Sequence, residues 1–356
     1  MSRGIFQRIV GLVIAIAFLA LNAAAGSNPS AKSSRIEVAY SKNVELVGIL
    51  ANLTSLWDAN RPNFPFAVGT REKFLPFKNL EAVGLAGDLI HKRSLGYLIR
   101  TAFRVPDLPE GKPLPKSFSF IHGFFLSRSL PAVRSFYQKS DFEAFWTENK
   151  PAYESWKSGI EEHIAGLPLP ALLEEYFGIK KNRYTLVFTP QAARLRTWDR
   201  EARDDQNVLV IFGPDEEAPD GRSFMEQRFL VTNILLRIIG HMWVLEILEK
   251  HPELVKKYAH LQENATRGSA PPAQPRPWRS VLLDNVRAAV MVRLTEKLFG
   301  PTASEEVLRQ CLQEGTLLAA ELAGSCREYE VNRIKYPTFE SFLPDMLSRW
   351  EERAKR

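Results

Sequence analysis

The sequence predicts an α+β domain that is mainly helical, with a small β-sheet over a central helix. Three observations predict it. Residues 229–248, FLVTNILLRIIGHMWVLEIL, are apolar enough for a core element and long enough for about 30 Å of α-helix. Just before them lie two short β-rich runs, YTLVFT at 184–189 and VLVIFG at 208–213, joined by a polar loop. Most of what remains carries helical spacing of its apolar residues.

The polar residues of the central helix are not scattered. Asn233, Arg237 and His241 recur every four residues with Gly240 beside them, so they share one face of an apolar helix. A buried helix with one polar stripe has something polar to meet. A transmembrane reading would carry Asn233, Arg237, His241 and Glu246 within about 20 residues, and the charged ones cost roughly 2.5 to 3.5 kcal/mol each near the bilayer centre. A soluble core helix fits better.

In chain order, residues 1–25 read as a secretory signal peptide. Arg3 and Arg8 form its basic start, 9–21 is its apolar run, and Ala23, Ala24 and Ala25 offer a cleavage site. An uncleaved membrane anchor is the alternative, although the run is short for a span. No cysteine directly follows it, which excludes a lipoprotein anchor. The domain organisation expected is a signal peptide over 1–25, a flexible leader over 26–34 and a single domain over 35–356. Losing Arg3 and Arg8 but no acid lowers the net charge from +6 to +4. No Lys/Arg cluster interleaves with aromatics, so nucleic-acid binding has no support.

The domain opens with a strand at 35–40, where Ile36, Val38 and Tyr40 alternate with Glu37 and Ala39, and a helix at 43–56 for which Asn43 is the expected cap. Residues 57–76 read as irregular, and 106–115 as a proline-punctuated loop. Helical spacing resumes over 124–163, with Leu130, Val133, Phe136 and Tyr137 on one face and Phe142, Phe145 and Trp146 on another. The helical amino-terminal part thus spans 43–178, and the sheet with its helix 184–249. Residues 214–221 read as a solvated acidic loop and 264–277 as a surface loop. Carboxy-terminal helices fill 278–353. In the first of them Asp284 and Arg287 stand at i, i+3 spacing, an ion pair worth a few tenths of a kcal/mol. Cys311 and Cys326 would be roughly 22 Å apart along a straight helix, so a disulfide requires a turn near Gly315 or Gly324.

One constellation carries chemistry. In H-E-x-x-H two histidines four apart hold zinc and the glutamate serves as general base. Residues 237–241, RIIGH, align with that pattern at its last histidine only. Together with NVELVGILANL (43–53), FLSRSLPAVRSFYQKSDFEAFWTENKPAYESW (125–156), the strand pair, IIGHMWV (238–244) and LLDNVRAAVMVRL (282–294), the chain resembles a family of secreted bacterial proteins of unknown function. Members carry an H-E-F-G-H motif and are regarded as zinc metallopeptidases of the zincin type. The resemblance implies a zincin-like fold in which Arg237 replaces the first zinc histidine, Ile238 replaces the general base, His241 is retained and Asp284 stands for the third ligand.

A catalytic zinc wants three protein ligands and an open position, and His241 with Asp284 makes two. The expectation is therefore no metal and no cofactor. The protein expected is an exported, zincin-like pseudopeptidase, periplasmic or extracellular, that binds a peptide or protein without hydrolysing it and meets a membrane only through an uncleaved signal segment. An active hydrolase with a different site and a structural envelope protein are the alternatives. The buried cation is expected to pair with Asp284, the guanidinium of Arg237 supplying the positive charge that zinc would supply.

Overall fold

The computed structural model describes residues 35–55, 64–104, 108, 120–191, 196–200, 207–214, 228–263 and 276–355, without the side chains of 120–128, 196–200 and 228–231. These residues belong to one unit, Ser34–Arg356. The signal and leader readings, most of the loop at 106–115 and most of the loops at 214–221 and 264–277 lie outside the described residues.

The expected strands are present, each shifted by one residue or less. Strand β1 is Arg35–Ala39, β2 is Arg183–Phe188 and β4 is Asn207–Phe212. All three run parallel, with Ile36 opposite Tyr184 and Tyr184 opposite Val208. A strand the sequence did not announce, β3 at Arg196–Arg200, pairs antiparallel with β4, so the order is β1-β2-β4-β3. Its sequence, RTWDR, lacks apolar alternation, which an edge strand paired on one side only does not need.

Both faces of this sheet are covered, as parallel pairing requires. The helices are α1 (Lys42–Asn52), α2 (Pro65–Phe74), α3 (Glu81–Lys92), α4 (Leu95–Arg104), α5 (Phe120–Lys139), α6 (Phe142–Ile164) and α7 (Leu169–Phe177) before β2. After the sheet come α8 (Arg228–Lys250), α9 (Pro252–Lys257), α10 (Trp278–Phe299), α11 (Pro301–Gln313), α12 (Ala319–Val331) and α13 (Phe339–Ala354). Alternation along β2 and β4 sorts their side chains to two faces. Tyr184, Leu186, Phe188, Val208, Val210 and Phe212 join the core built on α8, whereas Val187, Leu209 and Ile211 meet Val44 and Ala51 of α1 and Leu95 and Ile99 of α4.

Helix α8 is the predicted central helix. Leu235, Leu236, Trp243 and Ile247 are fully buried in it, and Trp243 meets Phe177 edge-on with ring centres 4.8 Å apart. Alongside it runs α10, buried over nearly its whole length from Trp278 to Thr295. The two helices touch at Gly240, where a Cβ would meet Cγ of Arg287 at 3.9 Å, an ordinary packing distance. No helix among the described residues is long and apolar enough to cross a membrane.

In the amino-terminal part several expectations are corrected. The cap of α1 is Ser41, whose Oγ accepts the Val44 amide at 3.4 Å, while Asn43 is buried and its Oδ1 accepts the Leu108 amide at 3.1 Å. The stretch read as irregular contains α2, started by Pro65 at a position where a missing amide hydrogen costs nothing. The two aromatic faces of 124–163 are one: Phe136, Tyr137, Phe142 and Phe145 converge in a single cluster because α5 and α6 fold back on each other at Ser140 and Asp141. Near the carboxy terminus the helical region does turn at Gly315, whose φ of 85° suits glycine. Cys311 and Cys326 are nonetheless both free and buried. Burial pushes the Cys326 thiol up to about 12.

Candidate functional site

The polar stripe of α8 faces the start of α10, and the two helices bring four of the sequence-derived positions together. Ile238, where the resemblance would put a general base, is 3 % exposed and belongs to the hydrophobic core. His241 is half-buried, and no hydrogen bond reaches its ring among the described residues. Burial lowers its pKa first and the neighbouring Arg287 lowers it further, with Asp284 opposing both, so near neutral pH the imidazole is uncharged.

The expected pair of Arg237 with Asp284 is not formed. Arg237 is bound by Glu314, which follows the end of α11, and Asp284 is bound by Arg276, just before α10 begins. The i, i+3 contact of Asp284 with Arg287 is present at 3.6 Å, longer than a hydrogen bond. The resemblance implied that Asp284 would approach Arg237 from a facing helix. It could not show that Glu314 and Arg276 would arrive first from elsewhere in the chain.

Arg287 is the buried cation of the site, not Arg237. It is 6 % exposed, its Nη1 reaches only the sulfur of Met291 at 3.7 Å, and its Nε is buried without a partner. Burial lowers its pKa and so does the nearby charge of Arg237, with Asp284 and Glu314 opposing. Its stem passes over Gly240, next to His241 in sequence. Cys311 lies close enough for both guanidiniums to lower its pKa against the rise that burial causes. The signal for Arg287 was present in the sequence as a cation inside the apolar run LLDNVRAAVMV.

These residues do not fit a catalytic zinc. His241 and Asp284 offer two donors, Asp284 is engaged by a guanidinium, and Arg237 and Arg287 bring positive charge to the same place. Among the described residues no group of three or more His, Cys, Asp and Glu side chains is placed to hold a metal ion.

A second polar cluster, which no motif or spacing in the sequence announced, lies where β2 ends. Glu45 of α1 is buried, and its Oε2 accepts the hydroxyl of Thr189 at 2.9 Å. Gln191 and Tyr153 lie beside it, but the other Glu45 oxygen, the Gln191 amide nitrogen and the Tyr153 hydroxyl are buried without a hydrogen-bond partner among the described residues, while Asn52 holds Gln191 through its carbonyl at 2.8 Å and its side-chain oxygen at 3.1 Å. Gly48, one turn after Glu45, is required by this packing: a Cβ there would come within 2.6 Å of Cβ of Gln191. Burial pushes the Glu45 carboxyl up to about 7 against the Thr189 hydrogen bond that favours its charge. Farther from the sheet, an apolar cavity of about 70 Å³ lies between α1, α3, α4 and α5, and among the described residues no charged side chain lines it.

No curated protein and no solved structure matches the chain. A family model described as a domain of unknown function (DUF4932) matches residues 126–348, which include α8, α10, Glu314 and every residue of the Arg287 cluster; the chain belongs to that family.

Proposed function

We propose that this protein is an exported, zincin-like pseudopeptidase: its cleft binds a peptide or protein partner and does not hydrolyse it. The observation that carries this reading is the pair of replacements on α8, where a guanidinium, Arg237, stands at a ligand position and a core side chain, Ile238, stands at the base position. General-base catalysis typically contributes about 10²- to 10⁴-fold, and an isoleucine in the core contributes none of it. Arg237, held by Glu314, and Arg287, beside His241, put positive charge where a metal would otherwise polarise a carbonyl. That charge orients and holds a polar ligand without activating water. The sheet lying against α8 and the signal-like start of the chain support the zincin-like and exported parts of the reading.

The test is incubation of the mature protein with a mixture of peptides, with metal content measured on protein purified without chelators. Peptide binding with no new termini and substoichiometric metal is the expected result. One zinc per chain accompanied by cleavage would overturn the reading in favour of an active hydrolase.

A further inference from the structure

Arg287 is held in a way that a purely structural arginine is not. Buried guanidiniums are rare unless a carboxylate takes their donors, because an unpaired charge is costly to remove from water. Here three guanidiniums, Arg237, Arg276 and Arg287, converge with two carboxylates, Glu314 and Asp284, among the described residues. The two acids are each hydrogen-bonded to another arginine, Glu314 to Arg237 and Asp284 to Arg276. Arg287 is left with Asp284 at 3.6 Å, a thioether sulfur and an Nε with no partner.

Next to this under-compensated charge is the ring of His241. The ring is half-buried, so one side is open to a ligand, and no hydrogen bond occupies its nitrogens among the described residues. The neutral imidazole keeps one N–H donor. The Arg287 stem lies against α8 at Gly240, next to His241 in sequence, where a Cβ would stand 3.9 Å from its Cγ. An N–H donor with a buried positive charge close by is a site for an anion, and the low dielectric around Arg287 makes its charge felt more strongly than at the surface.

We propose that His241 and Arg287 form a carboxylate-binding site, in which the imidazole N–H donates to the carboxylate and the Arg287 guanidinium supplies the countercharge. Resting on the peptide-binding reading above, this makes the ligand a peptide that presents a carboxylate at the cleft, either an acidic side chain or a free carboxy terminus. Asp284 and Glu314 do not repel it decisively, since each is already neutralised by its own arginine.

The test uses the mature chain and four probes measured by calorimetry at neutral pH: a short N-acetylated alanine peptide as its amide, the same peptide as its free acid, the amide with one alanine changed to glutamate, and sodium acetate. The free acid, the glutamate peptide or both are expected to bind roughly tenfold or more tighter than the neutral amide, the range of one charge-assisted hydrogen bond. Which of them gains identifies the source of the carboxylate. Arg287→Met should abolish the preference while leaving the chain folded. Equal affinity of all three peptides would overturn the carboxylate site and leave peptide binding standing. Acetate binding that Arg287→Met abolishes, with no peptide bound, would uphold the site and overturn the peptide reading. Binding of the amide alone would overturn the carboxylate site and leave peptide binding standing, and binding of none of the four probes would overturn both. Should Arg287→Met not fold, His241→Phe removes the donor and is held to the same expectation; a preference that survives it overturns the proposal.

Discussion

Two buried arginines on one helix, Arg287 and Arg293 of α10, separate two uses of the same side chain. Their exposures are 6 % and 7 %, so burial does not distinguish them. Partners do. Arg293 sends Nε and Nη2 to the two oxygens of Glu330 on α12 at 2.9 and 2.8 Å, a bidentate pair that raises its pKa. Arg287 has no carboxylate within hydrogen-bond distance among the described residues, and its surroundings lower its pKa. Where a cation is fully met it fastens two helices together. Where it is left short it keeps attraction for something that the described residues do not supply. Glu45 is the anionic counterpart of Arg287, a buried carboxylate with one oxygen met by the neutral hydroxyl of Thr189 and the other without a hydrogen-bond partner among the described residues.

The largest effect expected from this contrast is on the fully met pair. Glu330→Ala removes the bidentate partner of Arg293 and leaves it only Glu296 on its own helix, and should cost about 3 kcal/mol in denaturant unfolding, whereas Arg287→Met should change stability by less than about 1 kcal/mol, because it removes a charge that was only weakly compensated. Similar losses from the two variants would erase the distinction.

The Glu45 carboxyl gives a smaller effect that appears as a pH dependence. Its folded-state pKa, near 7, lies above the ordinary 4.5 of the unfolded chain, so the folded state holds the proton more tightly. The resulting stability is complete below about pH 4.5 and is lost as pH rises through about 7, by up to about 3 kcal/mol. Glu45→Gln keeps the shape without the ionisation, so its unfolding free energy should lack that fall and should exceed the parent's above pH 7. Parallel pH profiles for the two proteins would show that Glu45 does not ionise across that range.

Smallest are the couplings across the α8 stripe. A double-mutant cycle on Arg237 and Glu314 should give less than about 1 kcal/mol, as the glutamate is largely exposed. A cycle on Arg237 and Asp284 should give close to zero. A larger value for the second would restore the pairing that the resemblance implied.

The legible part of the molecule is what periodicity controls. The apolar run of α8, its stripe of Asn233, Arg237 and His241, and the strands at 183–188 and 207–212 all follow from local patterns, because burial on one face leaves a repeat of 3.6 or 2 residues. Strand β3 left no such repeat, being polar and at an edge. The carboxylates that claim the arginines could not be read at all. Glu314 reaches Arg237 from a separate helix, and Thr189 reaches Glu45 from beyond β2, meetings decided by tertiary packing. Helical spacing placed Arg287 beside Asp284 correctly but held no measure of how little that neighbour satisfies it.

Strand β1 has one neighbour in the sheet, and that neighbour, β2, comes after seven intervening helices of the described chain. Synthesis therefore delivers the first strand long before anything exists for it to pair with. Pairing so distant in sequence is slow to form, because a long loop must close before any contact rewards it. The nearer strands β2, β3 and β4 can assemble among themselves first, so β1 joins last, along an edge already built. Until then its unpaired amide row is open to any other strand it meets, and the interval in which this chain is most prone to misassociate is set by the sheet's topology and not by its net stability.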